Sequence, residues 1–108
     1  MTPEAQRIAI AKACGWTVQY EFPYNRGYPP NTPTKGVPCT PLPDYLNDLN
    51  AMHEAEKVLE GNEQPEFDYV HWLDKIVPES QHPDWALIHA TAAQRAEAFL
   101  RTIGKWTE

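Results

Sequence analysis

The sequence predicts one α+β domain over residues 1–108, a small α/β/α layered arrangement of three to four helices with a two- or three-stranded sheet. The first observation is size, because 108 residues with 42% hydrophobic content suit a single modest core. The second is patterning, since several segments repeat apolar residues at helical spacing and one short segment alternates as a strand does. The third is an aromatic content of 11%, which is too high for a disordered chain.

The first helix is predicted from Pro3 to about Cys14. Thr2 can cap its N-terminus, and Pro3 suits the first helical position, where no backbone donor is needed. Gly15 then supplies the left-handed residue that ends a helix. The apolar face of this helix is predicted to consist of small or aliphatic side chains, namely Ala5, Ile8, Ala9 and Ala13.

A half-buried strand is predicted from Trp16 to Phe22, ended by Pro23. Apolar and polar residues alternate strictly in this segment, so Trp16, Val18, Tyr20 and Phe22 are expected to share the buried face.

Residues 23–43 hold seven of the eleven prolines. Each proline removes a backbone donor, so this segment is predicted to contain neither a helix nor a central strand. We expect an extended ordered loop or a mobile arm.

The rest of the chain is predicted to be mostly helical. One helix is expected over 43–59, and a shorter one over 66–77 ends before a proline. Residues 78–84 are predicted to form a loop, and 85–89 a short second strand. The last helix, within 91–104, begins with a Thr-x-x-Gln capping box and ends at a glycine.

The charge of the chain is uneven. Residues 44–84 carry eleven acidic residues but only two lysines, whereas both flanking segments are weakly positive. A protein that binds duplex nucleic acid normally presents a basic stripe, so the acidic middle argues against such a partner. A small anionic ligand needs only two or three cations and stays compatible with this charge pattern.

The sequence gives no indication of export or of a membrane span. No apolar run approaches the roughly 20 residues that cross a bilayer, and the N-terminus has no continuous apolar segment typical of a signal peptide. We therefore expect a cytoplasmic protein whose two cysteines, Cys14 and Cys39, are reduced thiols.

Three blocks of the chain resemble a family of small phage and prophage proteins, the phage ABA sandwich domain. They are IAKACGW (10–16), LPDYLNDLNAMHEAEKVL (42–59) and ATAAQRAEAFLRTIGKW (90–106). The resemblance implies an α–β–α layered fold and a phage accessory protein in the cytoplasm of an infected bacterium. It implies no enzymatic reaction, and no catalytic residue is carried over from it.

Aromatic rings and a cation are concentrated in the predicted strand and the loop after it. The residues are Trp16, Tyr20, Tyr24, Arg26 and Tyr28. Aromatic faces stack on bases and arginine binds phosphate, so this set predicts a nucleotide-binding surface. The alternative is that Trp16 and Tyr20 belong to the core while the loop aromatics only hold the arm in place.

His53 and Glu56 lie three residues apart on the side of the second helix that is predicted to be buried. They are candidates for an acid–base pair or half of a metal site, and the alternative is a local polar pair where the apolar stripe meets solvent. No zinc or phosphate-loop motif is present, so no metal and no cofactor are predicted. The only serine, Ser80, lacks the turn of a nucleophile elbow.

Taken together, these features favour a non-catalytic phage accessory protein that sequesters a nucleotide immune signal, an anti-defence activity. A small sheet has exposed edges, so a homo-oligomer that encloses the ligand between copies is expected. One alternative is an inhibitor that binds a host protein through its acidic surface. The other is a small enzyme that uses His53 and Glu56.

Overall fold

The protein folds as one helix, three short strands and then four further helices. The computed structural model describes residues 1–78 and 83–108. In these ranges the helices are α1 (Pro3–Ala13), α2 (Leu49–Glu56), α3 (Glu63–Ile76), α4 (Pro83–Ile88) and α5 (Ala92–Thr102), and a 3-10 turn (Lys57–Leu59) follows α2. The strands are β1 (Thr17–Tyr20), β2 (Arg26–Tyr28) and β3 (Thr40–Pro41). The predicted α+β class is confirmed, with five α-helices instead of three to four.

Helix α5 lies at the centre of the core and contacts α1, α2 and α3. Its residues Ala96, Ala98, Phe99 and Leu100 are all completely buried. The alanines allow neighbouring helices to approach closely, while Phe99 fills the space between them.

The predicted capping box at the start of α5 is confirmed. Thr91 Oγ1 accepts a hydrogen bond from the Gln94 backbone N–H at 3.1 Å. The Gln94 side chain in turn accepts one from the Thr91 backbone N–H at 2.8 Å. Because both contacts lie within four residues of the chain, local sequence is enough to specify them.

The three strands form one antiparallel sheet in the order β1-β2-β3, so β2 is its central strand. The prediction that residues 23–43 contain no central strand was wrong. The reason is local, because Arg26–Tyr28 contains no proline and keeps all its backbone donors. Pro41 lies on the edge strand β3, where a missing donor is tolerated.

Gly27 allows β1 and β2 to approach closely. A Cβ atom at this position would lie 2.4 Å from the backbone oxygen of Thr17. We expect Gly27→Ala to force β1 away from β2 and to lower the free energy of unfolding by about 2 kcal/mol. Chemical denaturation measures the loss, with Gln19→Ala on exposed β1 as the control. Equal stability of the two variants would contradict the observed register.

Strand β1 is shorter than predicted, and only half of its apolar face is covered. Trp16 and Val18 pack against the core, whereas Tyr20 and Phe22 are exposed, Phe22 to 64%. An irregularity in register between Val18 and Tyr20 breaks the period of two, and the strand ends before Phe22. The prediction that all four residues share a buried face was therefore wrong.

Helix α2 begins at Leu49, not at residues 43–44 as predicted. Asp48 provides the better N-cap, because its Oδ1 accepts hydrogen bonds from the backbone N–H groups of Asn50 at 3.0 Å and Ala51 at 3.4 Å. Residues 45–47 form a turn instead. Tyr45 is buried all the same.

The buried side of α1 also differs from the prediction. Gln6, Ile10 and Ala11 are buried, whereas Ala5 is exposed and Ile8 is only partly buried. Because α5 and β1 pack against α1 on the Ile10 side, tertiary packing and not apolar periodicity decides which stripe is covered.

Residues 85–88 belong to α4, so the predicted second strand over 85–89 was wrong. Short apolar runs do not distinguish a strand from a helix, and both Trp85 and Ile88 are exposed in α4.

Helix α3 starts three residues earlier than predicted, because Pro65 is tolerated in the first turn of a helix. Within the predicted loop over 78–84, residues 79–82, and with them Ser80, lie outside the described residues.

Candidate ligand-binding site

The structure divides the predicted nucleotide-binding residues among several places. Tyr20 ends β1 and Tyr24 lies between β1 and β2, and their rings pack edge to face at a centroid distance of 6.1 Å. Both rings are exposed, together with Phe22 between them. These three residues form an aromatic surface on the turn and not a cavity.

Arg26 and Tyr28 lie at the two ends of the central strand. Arg26 Nη2 donates a hydrogen bond to the backbone oxygen of Cys39 at 2.8 Å, which ties β2 to the residue before β3. Tyr28 lies opposite Thr17 on β1 and is partly buried. Both residues therefore make contacts within the sheet.

Trp16 lines a cleft of about 550 Å³ between the end of α1, the Pro-rich segment and α2. We call it the Trp16 cleft. Arg7 on α1 holds one wall in place by donating hydrogen bonds to the backbone oxygens of Leu42 and Pro43. Most of the lining residues are apolar, and the full set is Cys14, Trp16, Pro30, Pro43, Tyr45, Ala51, Glu54, Ala55, Lys57 and Val58.

Cys14 and Tyr45 are the weakly polar groups of the cleft. Burial raises the pKa of the Cys14 thiol, and this effect outweighs the hydrogen bond with Tyr45, which lowers it. Burial likewise raises the pKa of the Tyr45 hydroxyl, and Cys14 raises it further. Both groups are therefore neutral near pH 7, so this part of the cleft carries no charge of its own.

Lys57 supplies a positive charge to the cleft. Its Nζ lies 2.8 Å from Glu54 Oε1, and this carboxylate raises the pKa of the lysine. Both side chains are largely exposed, which leaves the ammonium group free to exchange a carboxylate for a phosphate at little cost. The arrangement combines an apolar interior with one cation and one anion.

The sequence analysis identified Trp16 but missed the other side of the cleft. Ala51, Ala55 and Val58 follow one another at helical spacing, and these small side chains leave room beside α2. That spacing is a signal that sequence reading could have used. Nothing in the local sequence indicates that this row faces Trp16, because the two segments lie far apart along the chain.

His53 and Glu56 both lie on α2, and at about 100° per residue Glu56 is on the side opposite Glu54. His53 Nε2 is 3.8 Å from Glu56 Oε1, and the His53 side chain is half-exposed, which corrects its predicted burial. His53 is exposed because it lies outside the stripe of α2 that contains the buried residues Met52 and Ala55.

Glu56 has a second and closer partner that the sequence analysis missed. Arg95 Nη1 on α5 lies 3.4 Å from Glu56 Oε2, and only 13% of the Arg95 side chain is exposed. Arg95 also donates to the backbone oxygens of Ala90 at 3.1 Å and Ile88 at 3.2 Å. These contacts join α2, α4 and α5, so they favour a structural role for Glu56 over acid–base chemistry.

No helix within residues 1–78 and 83–108 is both long and apolar enough to cross a bilayer. In the same residues, no three His, Cys, Asp or Glu side chains are grouped in a way that could hold a metal ion.

Comparisons with protein families, with curated proteins and with solved structures found no match to this chain. The resemblance to the phage ABA sandwich domain therefore stays a prediction.

Proposed function

We propose that the protein is a binding protein that holds a nucleotide in the Trp16 cleft. The observation that carries the proposal is the cleft itself, which joins an aromatic wall at Trp16 to a cation at Lys57. Its volume of about 550 Å³ lies within the range of small-molecule sites. A base is planar and uncharged and can stack on Trp16, and a phosphate carries the charge that Lys57 attracts.

In this proposal the protein acts by sequestration and not by catalysis. It would be a phage accessory protein that removes a nucleotide immune signal from the cytoplasm of its host. The resemblance to phage proteins supports this setting. The exposed Tyr20, Phe22 and Tyr24 beside edge strand β1 support a second part of the proposal, which is that two copies associate there.

Filling the cleft is expected to weaken nucleotide binding while leaving the fold intact. Val58 lines the cleft and is 44% exposed, so Val58→Trp places an indole in the cleft without entering the core. Isothermal titration calorimetry against linear and cyclic nucleotides should give binding for the natural chain and at least a tenfold weaker Kd for the variant.

Val37→Trp is the matched control, because Val37 is 39% exposed and does not line the cleft. We expect it to bind nucleotides as the natural chain does. If no member of the panel binds the natural chain at tens of micromolar, the proposed function is wrong. If Val58→Trp and Val37→Trp bind equally well, the ligand lies elsewhere and the assignment to this cleft fails.

A further inference from the structure

A second concave surface lies on the other side of α2, between the 3-10 turn and α3. We call it the α3 groove. It has a volume of about 350 Å³, and its lining residues are Glu56, Leu59, Glu60, Glu66, Tyr69, Val70, Leu73 and Arg95. Leu59, Tyr69 and Leu73 belong to the core, so the groove has apolar walls on a rigid base.

The charges of the groove are unequal. Three carboxylates line it, but its one cation, Arg95, pairs with Glu56 and donates to the backbone oxygens of Ile88 and Ala90. Among the described residues, Glu60 and Glu66 have no cationic nitrogen within 4 Å. The groove therefore keeps two exposed negative charges beside an apolar wall.

Tyr69 forms part of the base of the groove. The residue is only 7% exposed, and its hydroxyl is buried beside Glu56 and Arg95, which also line the groove. Burial raises the pKa of this hydroxyl, and the Glu56 carboxylate raises it further. The hydroxyl is therefore neutral near pH 7, and the charges of the groove are those of its carboxylates and of Arg95.

We infer that the α3 groove binds a basic amphipathic helix of a partner protein. A lysine or arginine stem can lie along Leu73 and Val70, with its charged head between Glu60 and Glu66. The exposed Phe67, next to Val70 on α3, extends the apolar wall for the partner's neighbouring side chains. This surface is separate from the Trp16 cleft, so the two proposals stand or fall independently.

The test uses a fluorescein-labelled peptide of about 18 residues built from Leu, Lys and Ala in a helical amphipathic pattern. Fluorescence anisotropy measures its affinity for the full chain. We expect Glu60→Gln combined with Glu66→Gln to weaken binding about tenfold. Asp74→Asn removes an exposed carboxylate from the same helix outside the groove, and its affinity should be unchanged.

Each of the following outcomes would overturn the inference. Absence of binding at 100 micromolar, or equal binding by a peptide with Glu in place of Lys, shows that the groove does not select a basic helix. Equal affinity for all three proteins places the peptide elsewhere, and spermine binding as tightly as the peptide makes the ligand a free polycation. A dimer in sedimentation that the Glu60 and Glu66 substitutions disperse makes the occupant a second copy of this chain.

Discussion

Phe99→Ala is expected to lower the free energy of unfolding by about 4 kcal/mol, the largest effect of any substitution considered. Phe99 is completely buried in α5, which contacts three other helices. The truncation removes apolar surface from the core and leaves a cavity that close-packed neighbours fill only in part. Small domains have only about 5 to 15 kcal/mol of stability, so the variant should melt far below the natural chain.

Phe67→Ala is the matched control, since the same atoms are removed from a side chain that is 65% exposed. Its expected effect is within about 0.5 kcal/mol. Urea denaturation followed by circular dichroism gives both values. Similar losses for Phe67 and Phe99 would contradict the position of α5 at the centre of the core.

Arg95→Ala is expected to cost about 3 kcal/mol. The substitution leaves Glu56, which is 23% exposed, without its charged partner at 3.4 Å. It also removes the donors that satisfy the backbone oxygens of Ile88 and Ala90. The effect is therefore greater than that of an exposed ion pair, and it should loosen the attachment of α4 to α5.

A double-mutant cycle separates the two causes. Glu56→Gln in the Arg95→Ala background removes the unpaired carboxylate, so we expect the double variant to be more stable than Arg95→Ala alone. Lys75→Ala, on an exposed part of α3, serves as the neutral control. If the losses in the free energy of unfolding from the Glu56 and Arg95 substitutions are additive, the two side chains do not interact in solution.

The two proposed binding surfaces meet at the 3-10 turn that follows α2. Lys57 and Val58 line the Trp16 cleft, whereas Leu59, the next residue, lines the α3 groove. The turn is short and anchored through buried Leu59. Substitutions in this turn should therefore be tested against both the nucleotide panel and the basic peptide.

Much of the helical architecture could be predicted from the sequence, because the signals are local. The cap at Thr2, the capping box at Thr91 and the positive-φ glycines at Gly15 and Gly104 each involve residues a few positions apart. The apolar row on α3, including Tyr69 and Leu73, likewise repeats within one segment.

The candidate site could be predicted only in part. The sequence indicates Trp16 as an aromatic residue near a segment that contains a cation. Lys57, the cation that lines the same cleft, lies more than forty residues further along the chain. Arg26 satisfied the expected chemistry of a phosphate ligand, yet the sheet uses its guanidinium to bind Cys39. Residue type alone does not reveal whether a cation is occupied by the protein's own backbone.

The sequence by itself determined the α+β class, the caps at Thr2 and Thr91 and the existence of the last helix, since these depend on contacts within one or two helical turns. Tertiary structure decided that Arg26–Tyr28 forms a central strand, that residues 85–88 coil into α4, and which stripe of α1 is buried. It also placed Trp16 opposite α2 and Arg95 against Glu56. These outcomes depend on which distant surfaces bury each other. The free energy of the whole folded chain determines that pairing, and the sequence of a short segment does not.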